Sequence, residues 1–241
     1  MDYSYEELAG MIDHSLLSPT TTNKQFEEGI DLALAYQCAS VCIMPSYLKR
    51  CAQRLSGSGV KASTTIGFPH GGHATQIKRV EALNAIEDGC QELDMVVNVS
   101  RVLSGDMGYV RDDIAAVIEV AHAAGQKVKV IFENCYLNDE QKIALCRICN
   151  DLNADWVKTS TGYGTGGATP EDLRLMREHA ADHVQVKAAG GVRDVETLIQ
   201  FRQLGASRCG ASGTRKILDA VREKLGLPPV GIEISDAPSG Y

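Results

Sequence analysis

Along this chain, short continuous apolar runs alternate with longer stretches in which apolar residues recur every three or four positions. The short runs read as buried strands and the longer stretches as helices with one face turned inward. Strands are expected at 12–17, 40–44, 61–66, 92–97, 127–132, 155–159, 184–187 and 207–210. Helices are expected at 5–11 and 24–36, and Val110, Ile114, Val117, Ile118 and Ala121 define the face of another. Asn138 and Gln141 have capping-box spacing ahead of a helix through Leu145 and Ile148. Thr169-Pro170-Glu171-Asp172 supplies a cap, a first-turn proline and acidic residues for the next. Val195, Leu198 and Ile199 form one further stripe, and Ile217, Leu218, Val221 and Leu225 the last. Gly89, Gly125 and Gly205 each stand shortly before a strand, where helices end.

Eight strand runs alternating with helices predict a parallel sheet, and eight is the number that closes a TIM (β/α)8 barrel. An open, doubly wound sheet is the alternative. The 241 residues suit one barrel domain spanning 1–241, with a short N-terminal helix and an extended tail at 228–241.

Composition narrows the partners. A formal charge of −7 argues against non-specific binding to nucleic acid or to anionic membrane. No apolar run approaches a membrane span, and the acidic start at 1–7 lacks the order of a signal peptide. The 8 cysteines are scattered through a chain that is 44% hydrophobic, so no disulfide framework is expected. Together these give a cytoplasmic protein, and a homodimer is the default assembly.

The chemistry gathers at 156–169, where a strand carrying Lys158 empties into a loop rich in glycine and hydroxyls. About thirty residues later, one βα repeat, Val186-Lys187-Ala188-Ala189-Gly190-Gly191-Val192-Arg193 repeats the order of strand, lysine and glycine loop. The two lysines therefore fall on neighbouring strands. A free lysine, with pKa about 10.4, has about one amine in 2,500 unprotonated at pH 7. Burial beside a second cation can bring that pKa to around 7, which makes a nucleophile able to attack a carbonyl and form an imine. Asp94, within Leu93-Asp94-Met95, is a carboxylate on an apolar strand that needs a partner, and the lysines can supply it. Alternation places Lys129 and Glu133 on one face of the fifth strand, in reach of the same network.

Other signals are weaker. Gly162 to Gly167 matches G-x-G-x-x-G, but the helix starts only at Pro170, so a dinucleotide site is not expected. Cys146 and Cys149 form a lone CxxC inside a helix, and His70 and His73 lack a nameable third metal ligand. His14 reads as a hydrogen-bonded packing residue. Two glycine loops, Gly190-Gly191 and Gly210 to Thr214, follow strands seven and eight, where barrels often bind phosphate.

These segments, in order, resemble the deoxyribose-phosphate aldolase family of class I, Schiff-base aldolases. The matching stretches are 12–17 (IDHSLL), 41–43, 66–69, 92–98, 128–137 (VKVIFENCYL), 157–169 (VKTSTGYGTGGAT) and 186–193 (VKAAGGVR). The resemblance implies a TIM barrel that reversibly cleaves 2-deoxy-D-ribose 5-phosphate without metal or cofactor. It implies Lys158 as the Schiff-base lysine, Lys187 as the residue lowering its pKa, and Asp94 as proton relay. Thr159, Gly190, Gly191, Ser212 and Gly213 would bind substrate and its phosphate, and Tyr241 would assist proton transfer. The chain departs from many relatives at Ser18, His73 and Gly213, which leaves acceptor range and phosphate dependence to be tested. Two alternatives are a related Schiff-base aldolase with another acceptor and a non-catalytic barrel that binds phosphometabolites.

Overall fold

The computed structural model describes residues 3–232. In chain order the elements are α1 Tyr5–Ala9, β1 Ile12–Leu16, α2 Asn23–Tyr36, β2 Ser40–Ile43, α3 Leu48–Leu55, β3 Lys61–Ile66, α4 Thr75–Glu87, β4 Glu92–Val96 and α5 Val99–Leu103. There follow α6 Met107–Ala123, β5 Lys127–Ile131, α7 Asp139–Asp151, β6 Trp156–Lys158, α8 Pro170–His179, β7 Gln185–Ala189, α9 Val195–Gln203, β8 Ala206–Ala211 and α10 Thr214–Lys224. All eight strands are parallel, each pairs with the next, and β8 closes on β1. The barrel is therefore closed, and the open-sheet alternative is set aside. None of the helices in the described residues is long and apolar enough to cross a membrane.

The local causes are those the pattern announces. Val110, Ile114, Val117, Ile118 and Ala121 are all buried on α6, and full burial of each Val or Ile side chain is worth about 1.5–3 kcal/mol. Asn138 and Gln141 form both bonds of the capping box on α7, and the Thr169 side chain accepts from the Asp172 N–H at the start of α8. Gly89, Gly125 and Gly205 take φ of 92°, 72° and 92°, the left-handed turn that ends a helix.

What distinguishes this barrel is its filling. Barrels of this kind pack layers of Val, Ile and Leu inside, whereas here Asp13, Glu92, Asp94, Lys129, Lys187 and Arg208 form one ion-pair network within it. The apolar core lies mainly between barrel and helices. A register shift between β7 and β8 pairs Val186 with Ala206 but Lys187 with Arg208, so Ser207 is the extra residue of a bulge. Two consecutive residues then share one side: the Ser207 hydroxyl accepts from Trp156 Nε1–H at 3.0 Å, and the Arg208 guanidinium lies 5.1 Å from the Trp156 ring centre.

Candidate active site

Lys158 and Lys187 are direct partners in the β6–β7 register, as the repeat spacing requires. Both side chains are buried, and both donate to one oxygen, Asp94 Oδ2, at 2.7 Å. Asp94 Oδ1 accepts from Lys129 Nζ at 2.9 Å and from the Ser63 hydroxyl at 3.3 Å. Lys187 Nζ also sits 2.6 Å from Asp13 Oδ2. Lower in the barrel, Lys129 meets Glu92 at 2.6 Å, and Arg208 bridges Asp13 and Glu92.

Charge counting separates the two lysines. Lys129, Lys187 and Arg208 provide three cations against three carboxylates, Asp13, Glu92 and Asp94. Lys158 is the additional amine, so its neutral form leaves the network balanced. Burial is the main force pulling the Lys158 pKa below its ordinary value; Asp94 opposes this and the Lys187 charge adds to it. For Lys187 burial pulls the same way, but Asp13 and Asp94 outweigh it and hold the ammonium above its usual range. Asp94 is likewise buried, and Lys129, Lys158 and Lys187 overcome that cost and keep it well below the usual carboxylate range. The site thus presents a less basic amine beside a permanent cation, joined by one carboxylate oxygen. The sequence points to burial beside Lys187 as what tunes Lys158, and of the two burial contributes more.

A cavity of about 650 Å³ opens over Lys158 and Lys187 at the C-terminal ends of the strands. Its walls include residues of the 161–167 loop after β6, the end of β7 with the loop behind it at 189–193, and the end of β8 with the turn behind it at 210–213. Gly190, Gly191, Ser212 and Gly213 all line it. Gly190 and Gly191 have φ of 77° and 90°, and a Cβ on Gly167 would come within 2.3 Å of the Gly190 carbonyl oxygen, so the two loops meet through glycine alone.

Other expected residues are placed differently. Thr159 is fully buried and is not part of the cavity wall: its hydroxyl donates to the Ala189 carbonyl and accepts from the Ala189 N–H, both at 3.1 Å. It braces the strand ends beneath the site. Glu133 does not join Lys129, because the strand stops at Ile131 and Glu133 turns to φ 59°. Its carboxylate instead accepts from the Thr161 N–H at 3.2 Å and from the Thr161 hydroxyl, fixing the cavity-wall loop. Tyr241, with the tail beyond 232, lies outside the described residues. Cys146 and Cys149 are buried in α7, with burial pushing the Cys146 thiol up to about 12, and His70 and His73 are exposed before α4. The glycines at 162–167 open no helix, since α8 starts at Pro170 behind its Thr169 cap.

Four contributors are not singled out by sequence reasoning. Asp13, Glu92 and Arg208 belong to the buried network, and Lys216 on the first turn of α10 lines the cavity with Arg193. Alternation around His14 marks Asp13 as the opposite face of its strand, the one available signal. Lys216 carries a weaker one: a lysine in a helix's first turn opposes the helix dipole unless an anion lies near.

The fold and site together define a class: a β/α barrel whose buried amine, less basic than an ordinary lysine, lines a solvent-reaching cavity and can add to a carbonyl. Residues 8–220 match the model of the DeoC/LacD family aldolases. A deoxyribose-phosphate aldolase of Rhodopirellula baltica is 64% identical over 240 residues, 100% of this chain and 99% of the relative. One from Thermococcus gammatolerans is 44% identical over 218 residues, 90% of this chain and 97% of the relative. Among solved structures, the tetrameric deoxyribose phosphate aldolase of Aeropyrum pernix superposes with a TM-score of 0.85 at 31% identity, covering 92% of this chain and 93% of that one. The chain belongs to the DeoC/LacD aldolase family.

Proposed function

We propose that this chain is a class I aldolase that reversibly cleaves 2-deoxy-D-ribose 5-phosphate to acetaldehyde and D-glyceraldehyde 3-phosphate through an imine on Lys158. The observation that carries this is the shared Asp94 Oδ2, 2.7 Å from both Lys158 and Lys187, the two lysines over which the cavity opens. The deoxyribose-phosphate aldolases similar to this chain support the substrate.

Neutral Lys158 adds to the C1 aldehyde of the open-chain sugar, and loss of water gives the protonated imine. Removal of the C3 hydroxyl proton forms the new carbonyl as the C2–C3 bond breaks. The released electron pair moves into the imine and leaves an enamine on Lys158. A proton then goes to C2, and water hydrolyses the resulting acetaldehyde imine, restoring the amine. Asp94, bonded to both amines, relays protons within this sequence. Lys187 remains cationic throughout and disfavours a second positive charge on Lys158. The phosphate occupies the glycine loops after β7 and β8, where backbone N–H groups, Arg193 and Lys216 meet its charge. Self-association is part of the same reading, with a dimer as the expected unit.

Three measurements bear on this reading. A retro-aldol assay on the wild-type protein should give kcat/KM for the 5-phosphorylated sugar about 100-fold above that for 2-deoxyribose, as two charge-assisted contacts would produce. Equal values would remove the phosphate from the site, and the absence of acetaldehyde would refute the reading. Lys216→Ala should raise KM for the phosphorylated substrate about tenfold and leave turnover of 2-deoxyribose unchanged; equal loss on both would make Lys216 structural. Lys187→Met removes a cation and frees Asp94 for Lys158, and both changes raise the Lys158 pKa. The acidic limb of the kcat/KM profile should therefore move to higher pH, each unit costing about tenfold in rate below it. Activity should recover partly in alkaline buffer, a recovery that a misfolded variant would not show.

A further inference from the structure

His14 and Thr214 form a buried pair outside the lysine network. On β1 the side chain of Asp13 joins the barrel interior, so by alternation His14 faces the helix layer. His14 is 1% exposed and Thr214 is fully buried. Across the β1–β8 seam, His14 is the register partner of Ala211, the last residue of β8. His14 Nδ1 lies 2.8 Å from the Thr214 hydroxyl oxygen, and that hydroxyl donates to the Ala211 carbonyl at 3.3 Å.

Satisfying both contacts at once selects one tautomer of His14. The single hydroxyl proton of Thr214 goes to Ala211, so the oxygen can only accept from His14. Nδ1 therefore carries hydrogen, and Nε2 is left buried without a hydrogen-bond partner among the described residues. Burial lowers the imidazole pKa to about 4, consistent with a neutral ring. A buried acceptor without a partner is costly, and what it secures is one bond at the start of α10.

That bond sits at the phosphate end of the cavity. Gly213 occupies the N-cap of α10 and has no side chain to cap it, so the first-turn N–H groups are not satisfied by a cap. Ser212 and Gly213 line the cavity between Ala211 and Thr214, the two residues the hydroxyl ties together. The span that presents backbone donors is therefore pinned at both ends by one hydroxyl, which His14 in turn orients.

We infer that His14 is a positioning residue for phosphate recognition, holding the 211–214 turn through Thr214 so that its N–H groups converge on the substrate's phosphate. This rests on the function proposed above. It is tested by measuring kcat and KM with 2-deoxyribose 5-phosphate and with 2-deoxyribose for the wild type, His14→Leu, His14→Asn and Thr214→Val. The expected result is a KM for the phosphorylated sugar about tenfold higher in His14→Leu and Thr214→Val, with kcat within about twofold. Turnover of 2-deoxyribose should be unchanged, and His14→Asn, which keeps a side-chain N–H donor near the Nδ1 position, should recover most of the loss. Equal losses on both substrates, or no change in KM, would overturn the role of His14 and leave the aldolase reading intact. If the wild type itself shows no preference for the phosphorylated sugar, the functional reading fails and this inference with it. Should His14→Leu not fold, Thr214→Val, which swaps a hydroxyl for a methyl of the same shape, decides the matter alone.

Discussion

Replacing Lys158 with alanine is expected to reduce retro-aldol turnover by about 10⁴-fold or more, because Lys187, the neighbouring amine in the cavity wall, is held as an ammonium by Asp13 and Asp94 and is a poor substitute as imine former. The same substitution should leave the protein folded. Lys158 is the amine in excess of the balanced network: without it, Lys129, Lys187 and Arg208 still face Asp13, Glu92 and Asp94. A lysine held below its ordinary pKa by burial also stabilises the fold less than a fully solvated one would, so its loss relieves a desolvation cost. The melting temperature should therefore stay within about 5 °C of wild type, with circular dichroism unchanged. A variant that is inactive and also unfolded would show that Lys158 serves the fold, contrary to this account.

Asp94→Asn should do the reverse, damaging fold and chemistry together. The Asp94 carboxylate takes hydrogen bonds from three buried lysines, with Oδ2 shared between Lys158 and Lys187 and Oδ1 on Lys129. An amide keeps the shape but removes the charge, and its NH₂ group must point at an ammonium that also donates. Three cations would then face two carboxylates in a closed interior. Breaking a buried ion pair on one side typically costs about 3–5 kcal/mol, here a fall of roughly 10 °C in melting temperature for a chain of this size. Turnover should drop by about 10²–10⁴-fold, since general acid–base assistance is worth that much. Calorimetry and the retro-aldol assay on one preparation check both parts. A stable, active Asp94→Asn would mean that the carboxylate neither anchors the network nor relays protons.

How much of this was readable in the amino-acid order depends on whether a residue's role is set by its own strand or by barrel closure. Lys158 and Lys187 stand one βα repeat apart, so their adjacency follows from the fold class, and the register pairs them directly. Asp94 announces itself as a carboxylate in an apolar run that is buried along its whole length. Asp13 and Arg208 give no such notice. They meet only because β8 closes on β1, and the bulge at Ser207 alters the side that simple alternation assigns to Arg208. Glu133 was misplaced for a related reason: alternation assumes that the strand continues, and a left-handed residue ends it. Thr159 has a hydroxyl at the right place in the chain, but neighbouring backbone uses it up. The helix α4 shows no clear stripe, since buried Ala82 and Ala85 are small while the larger Ile77, Val80 and Leu83 are exposed.

If Lys158, and not another of the buried amines, forms the imine, a single trapping reaction will mark it. Incubating the wild-type protein with acetaldehyde and borohydride reduces the imine to a stable amine, which leaves an ethyl group on the nucleophile. Peptide mass spectrometry is predicted to find that group on Lys158 alone, and to find none in Lys158→Ala. An ethyl group on Lys187 or Lys129, or no adduct in a protein that still releases acetaldehyde, would contradict the account.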